Sequence, residues 1–430
     1  MRTLSLIGSG YAGIATAISF IENGYNTICV DIDEKKVESI NKGINPFYDP
    51  GINERVEKYA KNKKLRATTD LKEAILNSDA SFICVGTPSK EDGGIDLKYI
   101  KEASKSIGKV LRYNKKYHVV AVKSTVIPGT TKDIVLPLLE KYSKKKAGKS
   151  YGVCMNPEFL REGNAYYDSI NPDKIVIGQL DKKSGDVLRK IYSNFESVKK
   201  NPEILITTDL TTAEMIKYAN NALLATKISF SNEIGNLCKK FGIDTYEVMK
   251  MVGMDNRLSP KFLASGIGFG GSCFPKDLEA LRAIYADLNE DSDILDAVLE
   301  VNRKQPHKAV DLVNKYDPEV VAVLGLSFKP DTDDVRKTRV AAIIDRLLDE
   351  GKEVVAWDPF AIETFKKDYP ELAYKIILEN NLKRAVKNVD AIIIATEHSE
   401  LKNFKFPDIP IIEGRRVFKN KKPNVEGICW

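Results

Sequence analysis

Cys273 sits in the stretch FGGSCFPKD, Phe269 to Asp277, behind two glycines and a serine and ahead of a Pro-Lys-Asp run. The run PKDLEALRAIYADL has helical spacing, and proline suits a helix's first turn, so the thiol is expected at or just before a helix N-terminus. There the helix dipole and the nearby Lys276 would both favour the thiolate. Asp277 falls in the first turn, where an acid is also an ordinary capping partner, and on these local grounds an inert structural thiol stays open. In EMIKYANNALLA, Lys217 and Asn221 are four apart and share one helical face. Their neighbours Met215, Tyr218, Ala219, Ala222 and Leu223 are mostly apolar or small, which predicts a buried face. A lysine there needs a partner or loses its charge, unless it snorkels outward. Glu158 and Glu162, in NPEFLREG, follow a strand-like run and are expected at a sheet edge, where Glu158 is either functional or a plain surface acid.

A second set of residues says what such groups would work on. GSGYAG places Gly8, Gly10 and Gly13 between an apolar strand and a helical run. The first glycine permits the tight turn, the second leaves room for a pyrophosphate, and the third lets helix and strand pack closely. The helix N-terminus behind them, with Tyr11 and Ala12 in its first turn, offers backbone N–H groups to phosphate. Asp31 closes the next strand, where a carboxylate accepts from adenosine ribose hydroxyls and repels a 2'-phosphate, so NAD is expected over NADP. Asp33 and Lys36 lie within reach of the adenosine edge, and each is equally a surface residue. Thr87, Pro88, Ser124 and Thr125 follow the strand-like runs ASFICVG and YHVVAVK, at the carboxyl ends where open α/β sheets bind ligands. Oxidising an alcohol to an aldehyde on such a scaffold needs only a base and a hydride acceptor. Oxidising an aldehyde to an acid needs the carbonyl turned into a tetrahedral hydride donor, and a cysteine thiohemiacetal does that.

These residues require elements to hold them. The 430 residues exceed one ordinary core, and 43% are hydrophobic. Strand and helix alternate up to about residue 200. From Asp209 the run DLTTAEMIKYANNALLATKISFSNEIGNLCKKFG reads as one long helix capped by Asp209 or Thr211, with helices to about residue 315. Alternation then returns from EVVAVLGLSF onward, without the glycine fingerprint. The expected fold is therefore α/β: two Rossmann-like domains, 1–200 and 316–430, joined by a helical central domain, 201–315. Lys and Arg total 66 against 60 Asp and Glu. The basic runs KNKKL, KKYSKKKAGK and FKNKKP are short and read as solvated helix ends and turns, not a nucleic-acid surface. Six cysteines set tens of residues apart and three isolated histidines, His118, His307 and His398, give no metal pattern. With no leader-like start and no run approaching about 18 apolar residues, a cytoplasmic setting is expected.

Taken together, GSGYAG, VGTPS, KSTVIPGTT, NPEFLREGNAYYD, TAEMIKYANNALLATKISFSNE, GFGGSCFPKD and GLSFKPDTDDVR closely resemble the UDP-glucose/GDP-mannose dehydrogenase family over essentially the whole chain. The resemblance implies oxidation of a nucleotide sugar's C6 alcohol to the acid with two NAD per turnover. EFLREG, PDKIVIG, GMDNRLSPKFL and EGRRVF favour UDP-glucose, giving UDP-glucuronate, over UDP-N-acetylmannosamine or GDP-mannose. It also implies roles: Cys273 as nucleophile, Lys217 and Asn221 stabilising alkoxide charge, Asp277 orienting water, Glu158 as acid/base, and Thr125 holding water and nicotinamide. Glu162, Lys276 and Arg336 are placed with the cofactor. Phe159, Leu160, Arg161, Glu162, Phe262, Phe269, Gly270, Phe328, Lys329 and Arg415 line the UDP-sugar pocket, and the glycines of that loop are expected to supply flexibility and close approach to substrate. Arg257 reaches a neighbouring subunit's substrate, which implies a homodimer or higher oligomer. The competing readings are a one-step hydroxyacid dehydrogenase, which leaves Cys273 idle, and a non-catalytic nucleotide-sugar binding protein.

Overall fold

Short apolar runs that end in small polar residues become strands. In the computed structural model, which describes residues 3–47, 49–418, 420 and 422–430, eight of them form one sheet: β1 Thr3–Ile7, β2 Asn26–Val30, β3 Leu65–Thr68, β4 Ala80–Ile83, β5 Val119–Val122, β6 Gly152–Met155, β7 Ile175–Gln179 and β8 Leu205–Asp209. Every residue of β4, β5 and β6 is buried, as strands covered on both faces must be. The spatial order is β3-β2-β1-β4-β5-β6-β7-β8. All pairs are parallel except β6 with β7. β6 is therefore an internal strand, so Glu158 and Glu162 follow a strand end inside the sheet and not a sheet edge as the sequence suggested. β8 pairs with β7 and carries the sheet past residue 200.

The second sheet holds β9 Val320–Leu324, β10 Glu353–Trp357, β11 Ile377–Glu379, β12 Ala391–Ile394, β13 Ile411–Glu413 and β14 Val425–Gly427. Its order, β11-β10-β9-β12-β13-β14, repeats that of the first six strands of the other sheet, and this is the Rossmann arrangement. Alternation along β9 sends Val321 and Val323 into one apolar cluster and Ala322 and Leu324 into another, so both faces are packed.

Four helices carry or follow the residues singled out in the sequence: α1 Tyr11–Glu22, α2 Leu210–Lys240, α3 Phe274–Asp287 and α4 Arg339–Asp349. α2 is the 31-residue helix anticipated from the sequence. Asp209 caps it, accepting the Thr212 N–H at 2.9 Å. It runs through Gly235 without a break because a Cβ there would meet Cys429 Cβ at 2.8 Å, so glycine serves close packing and not termination. With Thr245–Val252, α3, Asp293–Lys304 and His307–Val313 it makes the helical region that separates the two Rossmann-like sheets along the chain. The chain divides into two compact units, Met1–Ala219 and Asn220–Trp430, with the boundary inside α2. Among the described residues no helix is long and apolar enough to cross a membrane.

Each sheet has an aspartate just after its second strand, in two different settings. Asp31, after β2, is partly exposed and accepts the Ser9 N–H of the glycine turn at 2.8 Å and the Asp33 N–H at 3.1 Å. Asp358, after β10, is 2% exposed. It accepts the N–H groups of Leu326 at 2.7 Å, Ser327 at 3.0 Å, Phe360 at 2.8 Å and Ala361 at 2.9 Å. The Ser327 hydroxyl, at 3.0 Å, and His398 Nε2, at 3.1 Å, complete its shell.

Candidate functional site

The glycine turn between β1 and α1 has the three properties its spacing implies. Gly8 takes φ +107°, and a Cβ on it would meet Cys84 O at 2.7 Å. A Cβ on Gly13 would sit 2.1 Å from Gly8 O, so helix and turn touch backbone to backbone. Gly10 is different: nothing lies within 4 Å of where its Cβ would be. It is the N-cap of α1, with no side chain capping the helix and no acid in the first turn, which leaves this N-terminus open to phosphate. The arrangement fits a dinucleotide, with Gly8, Gly10, Ala12 and Gly13 at the pyrophosphate and Asp31 at the ribose. Lys36 is half-buried beyond Asp33, which caps its helix. Tyr11's hydroxyl is engaged by the protein itself, donating to Asp49 Oδ2 at 2.7 Å and accepting the Gly163 N–H at 2.6 Å.

In the same unit, the carboxyl ends of β5 and β6 meet the start of α2. Glu158 Oε1 lies 3.2 Å from Lys217 Nζ, their side chains 13% and 4% exposed, and Glu158 Oε2 accepts the Leu160 N–H at 2.6 Å. Burial alone would push Glu158 up, but Lys217, the Leu160 N–H and Lys123 overcome it and hold its carboxyl below the usual range. The Phe159 ring lies 5.4 Å from Lys217 Nζ and 4.6 Å from Lys174 Nζ. Lys217 thus finds a partner inside and does not snorkel. The buried stripe of α2 is Glu214, Lys217, Tyr218, Asn221, Ala222 and Ala225. Met215 and Leu223, expected on that face, are 43% and 63% exposed, because at 100° per residue they fall off the stripe that the polar residues define. Thr87 Oγ1 donates to Thr125 O at 2.9 Å and Ser124 Oγ to Val85 O at 2.6 Å, which locks the ends of β4 and β5 together.

In the second unit, Cys273 is the N-cap of α3 and is exposed, whereas Cys29, Cys84, Cys154, Cys238 and Cys429 are buried. Burial pushes the Cys84 and Cys154 thiols up to about 12, so both are protonated at neutral pH. Asp277, one turn into α3 and 1% exposed, accepts Asn221 Nδ2 on Oδ2 at 2.6 Å and Lys276 Nζ on Oδ1 at 2.5 Å. Lys276, expected to draw Cys273 toward the thiolate, is bound to Asp277, which offsets its charge; the α3 N-terminus remains. The loop leading to Cys273 is buried from Ser265 to Gly271. Its backbone is pinned by Asn232 to Gly266 N at 2.7 Å, by Asn302 to Phe269 N at 2.7 Å and by the Gly271 N–H to Arg336 O at 2.9 Å. A Cβ on Gly270 would meet Lys337 O at 2.6 Å, and one on Gly271 the Phe328 ring at 2.8 Å. These glycines serve close packing against the protein itself, so the flexibility expected of them is corrected to a fixed loop.

Comparison with known proteins settles what this combination is. Family models match in three consecutive segments: the NAD binding domain over residues 2–196, the central domain over 211–304 and the UDP binding domain over 322–420 of the UDP-glucose/GDP-mannose dehydrogenase family. The chain belongs to this family. It is 42% identical to the UDP-glucose 6-dehydrogenase AglM of Haloferax volcanii over 427 residues, 97% of this chain and 98% of that protein. It is 38% identical to a GDP-mannose 6-dehydrogenase of Pseudomonas putida over 445 residues, 99% of this chain and all of the relative. A UDP-glucose dehydrogenase structure from Pyrobaculum islandicum aligns with a TM-score of 0.92 at 35% identity, covering all of this chain and 98% of the other. The protein is an NAD-dependent oxidoreductase of the nucleotide-sugar dehydrogenase family.

Of the other residues singled out from the family resemblance, Arg161 and Glu162 belong to the first unit, while Phe262, Phe269, Phe328, Lys329, Arg336 and Arg415 belong to the second. Arg161 grips Asp168 through Nε at 2.9 Å and Nη2 at 2.6 Å on the surface, and Glu162 beside it is half-buried. Phe262, at φ +65°, and Phe269 both pack edge-on against Phe274, with centroids 6.0 and 5.9 Å apart. Lys329 Nζ stands 5.6 Å from the Phe328 ring, Arg415 donates to Gly268 O, and Arg336 pairs with Asp334. Arg257 pairs with Asp255 and its side chain is 84% exposed. Three residues missed from the sequence complete the first unit's cluster: Lys123, Asn156 and Glu214. Only Glu214 left a signal, since it stands three residues before Lys217 and seven before Asn221 on one helical stripe.

Proposed function

We propose that the protein oxidises UDP-glucose to UDP-glucuronate in two steps through a thiohemiacetal and a thioester on Cys273. The observation that carries this reading is the one exposed thiol among five buried ones, set at the N-terminus of α3 beside the buried Asn221–Asp277–Lys276 chain. Lys217 and Asn221 stabilise negative charge on the C6 oxygen as the hydroxyl proton passes to water and the hydride leaves the C6 carbon. NAD, when bound, accepts the hydride at each oxidation. The Cys273 thiolate then adds to the aldehyde carbon, forming a C–S bond and placing the charge on oxygen. Loss of the second hydride collapses this adduct to a thioester. Glu158, held ionised, takes a proton from water that Thr125 and Asp277 orient. The resulting hydroxide adds to the thioester and expels the thiolate, leaving the carboxylate.

Support for UDP-glucose comes from the matched UDP binding domain and from the relatives named UDP-glucose dehydrogenases. The exposed Arg257 supports a homodimer in which it serves a second chain. With purified protein, UDP-glucose should yield two NADH per sugar, and GDP-mannose or UDP-N-acetylmannosamine far less. Cys273→Ser should lose steady acid formation, by at least about a thousandfold. One NADH per sugar, or ordinary turnover by the serine variant, would refute the covalent route; preferred turnover of GDP-mannose would refute the substrate.

A further inference from the structure

Lys123 directly follows β5 and is 8% exposed. Its Nζ donates to Asn156 Oδ1 at 3.2 Å and to Asn156 O at 3.4 Å, and among the described residues no carboxylate is hydrogen-bonded to it. A buried ammonium held only by neutral oxygens is costly to keep. Its seat is built in advance: Asn156 is 1% exposed, donates Nδ2 to Val176 O at 2.8 Å and accepts the Tyr192 hydroxyl on Oδ1 at 2.5 Å. The side-chain amide is thereby fixed with its Oδ1 toward Lys123, and the backbone carbonyl of the same residue is the second acceptor. Two residues further on stands Glu158, in direct contact with Lys217.

We propose that Lys123 is a positioning residue for the reaction: seated on Asn156, it is a second buried cation that, together with Lys217, keeps Glu158 a carboxylate. The inference rests on the reading of Glu158 as the base. With Lys217 in contact with Glu158 and the Lys123 charge also favouring its ionised form, a proton taken by Glu158 deprives both lysines of their counter-charge, which favours its prompt release. The other groups around the cluster do not supply this charge. Cys84, at the end of β4, is held protonated by burial, and burial likewise raises Tyr192. Lys174 stands across the Phe159 ring. Burial lowers Lys123 itself, Cys84 and Glu158 pull it back up, and Lys217 lowers it further.

The test is the pH profile of kcat, measured on the full chain with UDP-glucose and NAD. In Lys123→Gln the acid limb should move up by about one pH unit, with KM for the sugar changed less than about twofold. Lys123→Arg should keep the limb in place and Glu158→Gln should abolish it. An unmoved limb in Lys123→Gln, with the limb absent in Glu158→Gln, overturns the proposal while leaving Glu158 as base. A wild-type limb that persists in Glu158→Gln removes the base itself, and the proposal with it. Should Lys123→Gln fail to fold, the isosteric Asn156→Asp keeps Lys123 seated and gives it a counter-charge; the limb must then move up likewise, and an unmoved limb overturns the proposal.

Discussion

Two backbone N–H groups converge on Glu214, and both belong to the turn that follows Thr125: Gly129 N at 2.6 Å and Thr131 N at 2.7 Å. The carboxylate therefore ties that turn to α2, three residues before Lys217. Burial pushes Glu214 up to about 7, against the pull of the Thr131 and Gly129 donors. An acid whose folded pKa is raised binds its proton more tightly when folded, so stability is greatest below the ordinary carboxylate pKa. It declines as pH rises from there to about 7, and is flat above. The span is on the order of 3 kcal/mol. Urea unfolding of wild type and Glu214→Gln at about pH 4.5 to 8 checks this: the difference between them should change over that window and level off above it, and a constant difference would contradict it. Residues of this kind were hard to see in the chain alone. Cys273 and Lys217 announce themselves, one as a thiol at a helix start and the other as a lysine in an apolar stripe. Glu214, Lys123 and Asn156 are ordinary types whose partners lie tens of residues away, and only folding brings them together.

At the scale of elements, the β1–α1 turn separates binding from stability within three residues. Alanine at Gly10 meets nothing in the protein and suits a φ of −73°, so Gly10→Ala should keep its melting temperature. It should lose NAD affinity by about tenfold or more, because the methyl occupies the pyrophosphate's approach. Alanine at Gly13 would strike Gly8 O, and Gly13→Ala should cost about 2 kcal/mol from overpacking as well as cofactor binding. Thermal unfolding and NAD titration of the pair decide it; equal destabilisation by the two would count against this division of labour. The glycine turn was legible because its chemistry depends on spacing alone. The short strands β3, β11 and β14 were not, since three or four residues such as LRAT carry too little periodicity. The loop before Cys273 misled for a related reason: glycine signals conformational freedom in a sequence, and only packing reveals whether that freedom is used or removed.

For the whole molecule, the repeated strand order raises the question of whether both sheets accept a dinucleotide. The alternation of strands and helices shows two Rossmann-like halves in the sequence, but not the environment of each strand end. Asp31 keeps partial exposure beside an open glycine turn, whereas Asp358 is enclosed by four N–H groups, a hydroxyl and His398. A carboxylate with both oxygens so occupied cannot receive ribose hydroxyls, and calorimetric titration should find one NAD per chain; two equivalent sites would contradict this. The enclosure of Asp358 thus sets a rule of timing. On the two-step route proposed above, a four-electron oxidation run from a single cofactor seat has to pause while one carrier leaves and another arrives, and the half-oxidised sugar must outlast that pause. Processivity on that route becomes a contest between two residence times, that of the intermediate and that of the spent carrier.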